Sequence, residues 1–261
     1  MHFPFFMQTN ADPFEKIPNL DDRKRGLLLG FADLLREANA KVNLLSRKDM
    51  EDVEYRHIAF CASISAFFTP EAGARIADVG SGGGLPGIVM AILYPQAEIS
   101  MFDGVGKKIA MVNEMCERLG LKNARGFHAR IEEQKDSFDY CTGRSVCALP
   151  MFFGFVKKKL KEGRRGNLSN GVIYFKGGEL EEELVKRKIQ PDARLDLQKF
   201  FGDGRFEGKS LVHFPTRAVR VFGQKTPLPE RGGAEKFRAE MNRNSGYFLD
   251  LDFAPFRKIL S

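Results

Sequence analysis

Apolar residues Leu27, Leu28, Phe31, Leu34 and Leu35 recur at the three- and four-residue spacing of one helix face, predicting an amphipathic helix over residues 20–37 with Asn19 and Asp21 as candidate caps. A polar loop over 39–49 leads into a second predicted helix over 49–68, which carries Arg56 and His57. A lone histidine on such a helix is usually structural. From Arg75 onward the pattern becomes short apolar runs alternating with helical stretches. Strands are predicted at 75–79, 99–102 (ending at Asp103), 124–128, 138–144 and 171–175, with two further β segments at 194–197 and 211–214. Helices are predicted at 107–119, 151–160 and 179–188. A β-α-β alternation of this length implies an α/β fold with a mostly parallel, doubly wound, Rossmann-like sheet covered on both faces. Residues 217–222 read as one more strand, and Pro227, Pro229, Gly232 and Gly233 read as a linker. The tail from Ala234 reads as a helix and then an irregular segment whose Phe248, Phe253 and Phe256 pack onto the body. Three units follow: an N-terminal helical segment over 1–70, a core over 71–214 and an extension over 215–261.

The densest chemical signal lies where the first strand ends. Val79 runs into Gly80-Ser81-Gly82-Gly83-Gly84-Leu85, and Pro86 then opens an apolar helix, as suits a residue with fixed φ and no N–H. Glycines at Gly80, Gly82 and Gly84 let the backbone turn sharply and lie close against a ligand in the crevice at the strand's end. Read from Gly82, the loop satisfies the dinucleotide pattern G-x-G-x-x-G. Read from Gly80, it is the G-x-G-x-G loop of S-adenosylmethionine enzymes with Asp78 ahead of it. The second frame fits better, because Gly80 is the first loop residue and Gly87 falls inside the helix. Asp103 lies at the spacing expected of an acid that accepts hydrogen bonds from both ribose hydroxyls, or of a cap for the next helix.

The chain has 261 residues, enough for one α/β domain with additions, and 41 Lys and Arg against 34 Asp and Glu leave a net charge of +7. That excess favours an anionic partner. Cys61, Cys116, Cys141 and Cys147 form no C-x-x-C pair and lie near no His cluster, so neither a metal site nor a disulfide framework is expected, and a reducing, cytoplasmic setting is the simplest. No run approaches the length needed to span a bilayer, and the start lacks the charged flank of a signal peptide.

Taken in order, several stretches together resemble one family, the ribosomal RNA small-subunit methyltransferase G family, also called glucose-inhibited division protein B. They are Asn43-Leu44-Leu45-Ser46-Arg47-Lys48-Asp49 with Arg56-His57, the Asp78–Ile88 loop, and Phe102-Asp103 with Gly106-Lys107-Lys108. His128-Ala129-Arg130-Ile131-Glu132-Glu133, Phe138-Asp139 with Gly143-Arg144-Ser145, and Tyr174-Phe175-Lys176-Gly177-Gly178 complete the series. The resemblance implies a class I S-adenosylmethionine-dependent methyltransferase acting on N7 of a guanine in 16S ribosomal RNA, with ribosomal RNA or the small ribosomal subunit as partner; separately, no membrane partner and a monomer are expected. It also implies that Gly80, Leu85, Ile131, Glu132 and Arg144 contact the cofactor. Ser81, Gly82 and Gly84 join them as loop residues and Asp103 on the ribose argument.

Guanine N7 bears a lone pair and no proton, so such a site needs no general base. Candidate catalytic residues are therefore cations beyond predicted strand ends, namely Arg130, Arg144 and Lys176, placed to hold phosphates. The run Lys157-Lys158-Lys159-Leu160-Lys161 with Arg164-Arg165 is a second basic patch, either an RNA contact or a solvated face. The chain departs from the family in three places. Ile58-Ala59-Phe60-Cys61-Ala62 replaces a polar pair after the Arg-His segment, Lys209 (or less well Arg217) matches a usual Arg, and the segment after Phe214 has no counterpart. A small-molecule methyltransferase, a dinucleotide-dependent oxidoreductase and a non-enzymatic RNA-binding protein are the alternatives.

Overall fold

The structure, a computed structural model, describes residues 12–42, 44–46, 50–178, 180, 184 and 189–224. Helix α1 (Asp22–Lys41) begins where the Asp21 carboxylate accepts the Lys24 N–H at 2.7 Å, one of the two caps read from sequence. The second helical segment is not one regular helix. A π-helical turn (Glu54–Ala59) passes into a short α turn (Phe60–Ala62) and a 3₁₀ turn (Ser63–Ala66).

The core then alternates β1 (Arg75–Val79), α2 (Gly87–Leu93), β2 (Glu98–Asp103), α3 (Gly106–Arg118), β3 (Ala124–His128), β4 (Tyr140–Arg144), α4 (Leu149–Val156) and β5 (Gly171–Lys176). β6 (Ala193–Asp196), the short α5 (Leu197–Phe201), β7 (Ser210–Pro215) and α6 (Thr216–Gln224) complete it. The sheet order is β3-β2-β1-β4-β5-β7-β6. The first five strands are parallel, and β7 runs antiparallel to both β5 and β6.

Alternate residues of each strand feed two separate cores, as the period of two requires. Ile76, Ile99, Met101, Tyr140, Ile173 and Phe175 pack with α1, α2, α3 and the 54–66 segment. Ala77, Phe102, Cys141, Val172, Tyr174 and Phe214 pack with α4 and α6.

Three expectations are corrected. Residues 217–222, read as a strand, belong to α6, whose Val219 and Gly223 are buried; Gly223 lies so close to α4 that an added Cβ would stand 3.0 Å from the Phe153 carbonyl oxygen. Pro86 caps α2 instead of filling its first turn, and Gly87 is the first helical residue. The helix expected over 151–160 ends at Val156, because Leu160 turns back to bridge Phe138 ahead of β4. Of the charged helix read over 179–188, only Leu180 and Leu184 are described; both are buried. The Pro227–Gly233 linker and the aromatic tail lie outside the described residues, as do Asn43, Arg47, Lys48 and Asp49.

Candidate active site

The glycine loop leaves β1 at the C-terminal edge of the sheet and is tied down by its neighbours. The Gly80 and Ser81 N–H groups both donate to the Phe102 carbonyl, at 2.8 and 3.0 Å, and the Gly82 N–H donates to Asp103 Oδ2 at 2.9 Å. Asp103 Oδ1 accepts the Val105 N–H at 2.8 Å. The acid read as a ribose ligand or helix cap thus performs a cap-like turn contact and also pins the loop. Its partly exposed carboxylate keeps lone pairs for hydroxyls at the crevice.

Beneath the loop lies Asp78, fully buried. Its Oδ2 accepts the Gly87 N–H at 2.8 Å, anchoring the start of α2, and Thr142 on β4 approaches Oδ1 at 3.4 Å. Burial pushes this carboxyl up to about 7, partly offset by the Gly87 N–H and the Arg144 charge. Gly87 is required here by close approach, since a Cβ would stand 2.4 Å from Met101 Cγ and 2.8 Å from Asp78 Oδ2.

The N-terminal segment supports this loop from outside the sheet. Leu35 of α1 and Leu44 lie within 3.1 and 3.4 Å of where a Gly83 Cβ would be, and Leu44 is held by its N–H to Asn39 Oδ1 at 2.7 Å. The apolar run that replaces the polar pair is core: Ile58, Ala59, Cys61 and Ala62 are fully buried, and Phe60 meets Phe175 edge to face. Burial raises the Cys61 thiol to about 12, with Arg144, Asp78 and Lys209 all close enough to act on it.

Arg144 ends β4, and its neighbour in register, Phe175, is followed by Lys176 at the end of β5. These two candidate cations therefore stand on adjacent strand ends. The loop after Arg144 passes Ser145 at φ +55, and Val146 packs where a Gly80 Cβ would be, at 2.9 Å. The Tyr174 hydroxyl fixes that loop, donating to the Cys147 carbonyl at 2.8 Å and accepting the Val146 and Cys147 N–H groups at 3.3 Å. Arg130 is elsewhere along the edge, following β3, three positions from β4 in sheet order, with Glu132 as a carboxylate neighbour at 3.8 Å. Ile131 and Glu132 form a 3₁₀ turn there, Ile131 buried and Glu132 partly exposed; Leu85 is buried in the loop. Sequence reasoning passed over His57, whose Nδ1 lies 2.6 Å from Arg144 Nη1. The signal was the Arg56-His57 pair, discounted because an isolated histidine is ordinarily structural.

The cradle suits an adenosylmethionine ligand by three observations. A Cβ at Gly82, where φ is +54, would project into open space. Among the described residues the buried Ser81 hydroxyl has no partner, nor does the buried Nε–H of Arg144. Buried donors of this kind ordinarily find an acceptor.

Strand order, the antiparallel β7 and the loop leaving β1 define a class I S-adenosylmethionine-dependent methyltransferase. The family model described as rRNA small subunit methyltransferase G matches residues 25–201. The ribosomal RNA small subunit methyltransferase G of Cytophaga hutchinsonii is 38% identical over 182 residues, which cover 70% of this chain and 87% of that protein. The protein of the same name from Flavobacterium psychrophilum is 35% identical over 216 residues, covering 83% and 96%. The chain belongs to the rRNA small subunit methyltransferase G family.

Proposed function

We propose that the protein methylates N7 of a guanine in 16S ribosomal RNA, using S-adenosylmethionine, with the RNA or the small ribosomal subunit as substrate. The observation that carries this reading is the Gly82 N–H bond to Asp103 together with the buried Arg144 Nε–H, without a partner among the described residues, at one sheet edge in a chain of this family. When bound, the cofactor supplies a methyl group activated by a sulfonium centre.

The Gly80–Leu85 loop and the 131–132 turn hold the cofactor, and Asp103 accepts from ribose hydroxyls. Guanine N7 has no proton to lose, so no side chain of the site has to act as a base. What the residues do is orient and exclude water, and orientation of this kind accounts for roughly 7–11 kcal/mol of a barrier. Arg144 and Lys176, on adjacent strand ends, hold the RNA in register, and Arg130 contributes from the β3 side.

The test is transfer of label from methyl-labelled S-adenosylmethionine. Isolated small subunits or 16S RNA should accept about one methyl per molecule, on N7 of one guanine. Label appearing in a metabolite extract and absent from RNA would refute the reading.

A further inference from the structure

We propose that His57 is a positioning residue that fixes the guanidinium of Arg144, an inference that rests on the methyltransferase reading above. Arg144 Nη1 lies 2.6 Å from His57 Nδ1. A guanidinium has five N–H donors and no lone pair, so arginine must donate and Nδ1 must accept. His57 is therefore neutral with its proton on Nε2, a tautomer imposed by its partner.

The turn that carries His57 is braced on several sides. A π-helical turn shifts side-chain direction relative to an α-helix, and such turns recur at functional sites. Just ahead of His57, Glu54 takes a two-pronged contact from Arg36, with both oxygens 2.7 Å from Nη2. Arg205 stacks on the Tyr55 ring, its guanidinium carbon 3.6 Å from the centroid. Just behind it, Ile58 and Ala59 are fully buried. The imidazole thus sits on a rigid mount.

Arginine has a long, many-rotamer side chain, and holding one Nη fixes the plane of the fork. The Nε–H of Arg144, buried and without a partner among the described residues, is then presented in one direction. The structure consequently divides the labour: Arg144 contacts ligand, and His57, which acts through it, sets the angle of that contact.

The experiment combines a double-mutant cycle with two replacements that differ in where they offer an acceptor. Methyl transfer to small-subunit RNA and S-adenosylmethionine affinity by calorimetry are both read. His57→Ala should lower kcat/KM roughly ten- to hundredfold, the scale of a misplaced group. In an Arg144→Ala background the same change should cost no more than about twofold, because its route of action is already gone. His57→Asn, whose Oδ1 takes the place of Nδ1, should recover most of the activity, and His57→Gln should not. Should His57→Ala fail to fold, the Asn and Gln variants carry the test alone. Losses that add in the double variant, or equal behaviour of Asn and Gln, overturn the role of His57 while an active wild-type protein leaves the function standing. A wild-type protein that binds no S-adenosylmethionine and methylates no RNA removes both.

Discussion

The two ends of the same sheet are both rich in cations, and they use them in opposite ways. At the C-terminal edge Arg144 keeps a buried N–H that no described residue accepts, beside the glycine loop. At the N-terminal edge lies the run 157–165, where most of the cationic groups bond the chain itself, although Lys158, Lys161 and Arg164 remain exposed. Lys157 donates to the Gly223 carbonyl at 2.7 Å, Lys159 to the Gln134 carbonyl, Arg164 to the Asn167 carbonyl and Arg165 to the Ala72 carbonyl. Lys161 and Arg165 face Asp139 and Glu71, and Arg220 of α6 joins the cluster through Glu162 and the Leu160 carbonyl. The edge is assigned by the chain itself, since Lys159 and Lys161 bond Phe138, which leads into β4, and Ala72 precedes β1. The density of positive charge therefore does not locate a site. An unanswered buried donor does, because leaving it unmade costs about 1–3 kcal/mol unless a ligand completes it.

This contrast can be broken by substitution. The largest effect is expected from Gly82→Val: the branched side chain must adopt φ +54 and enters the open cradle, so affinity for S-adenosylmethionine by calorimetry should fall at least about 100-fold, equivalent to roughly 2.7 kcal/mol. Unchanged affinity would dissolve the assignment of the loop. Next, Arg144→Ala should reduce kcat/KM for RNA methylation by about 10²–10³, the loss typical of one preorganised donor, whereas Lys158→Ala should stay within about twofold. Similar losses in the two would erase the difference between the edges.

A third prediction concerns pH. Burial holds Asp78 near 7 against an ordinary 3.8, so from about pH 4 to about 7 the native state keeps a proton that the unfolded chain has released. Stability contributed by this group is therefore greatest below that window, declines as pH rises through it by at most ~1.4 kcal/mol per pH unit, and is flat above. The Asp78→Asn variant removes this slope, and denaturant titrations of both proteins at several pH values should show wild type losing ground to the variant as pH rises. Parallel curves would contradict the buried carboxyl. The smallest effect belongs to the N-terminal edge: Arg220→Ala should cost about 1 kcal/mol and lower Tm by roughly 2–4 °C with methyl transfer intact.

The sheet, its strand ends and the frame of the glycine loop were legible because each depends on local spacing. In β1, Ile76 faces one core and Ala77 and Val79 the other, and Gly80 follows where that alternation stops. Residues 217–222 misled for the same reason. Their Val and Phe residues favour a strand locally, but burying Val219 and Gly223 against α4 needs a four-residue repeat, and packing outweighs propensity. The apolar run after His57, which replaces a polar pair of the family, is buried core, with Phe60 edge to face against Phe175.

What the sequence determined by itself was periodicity and punctuation: which stretches become strands or helices, where the loop begins, and which family the ordered motifs point to. Only the tertiary structure decided which cations satisfy carbonyls and which keep a buried donor without a partner among the described residues, and that His57 meets Arg144 across 87 residues of chain. The reason is physical. Backbone periodicity is set by neighbours a few residues away, whereas the partner of a long charged side chain is whatever acceptor the fold carries to within about 3 Å of its tip.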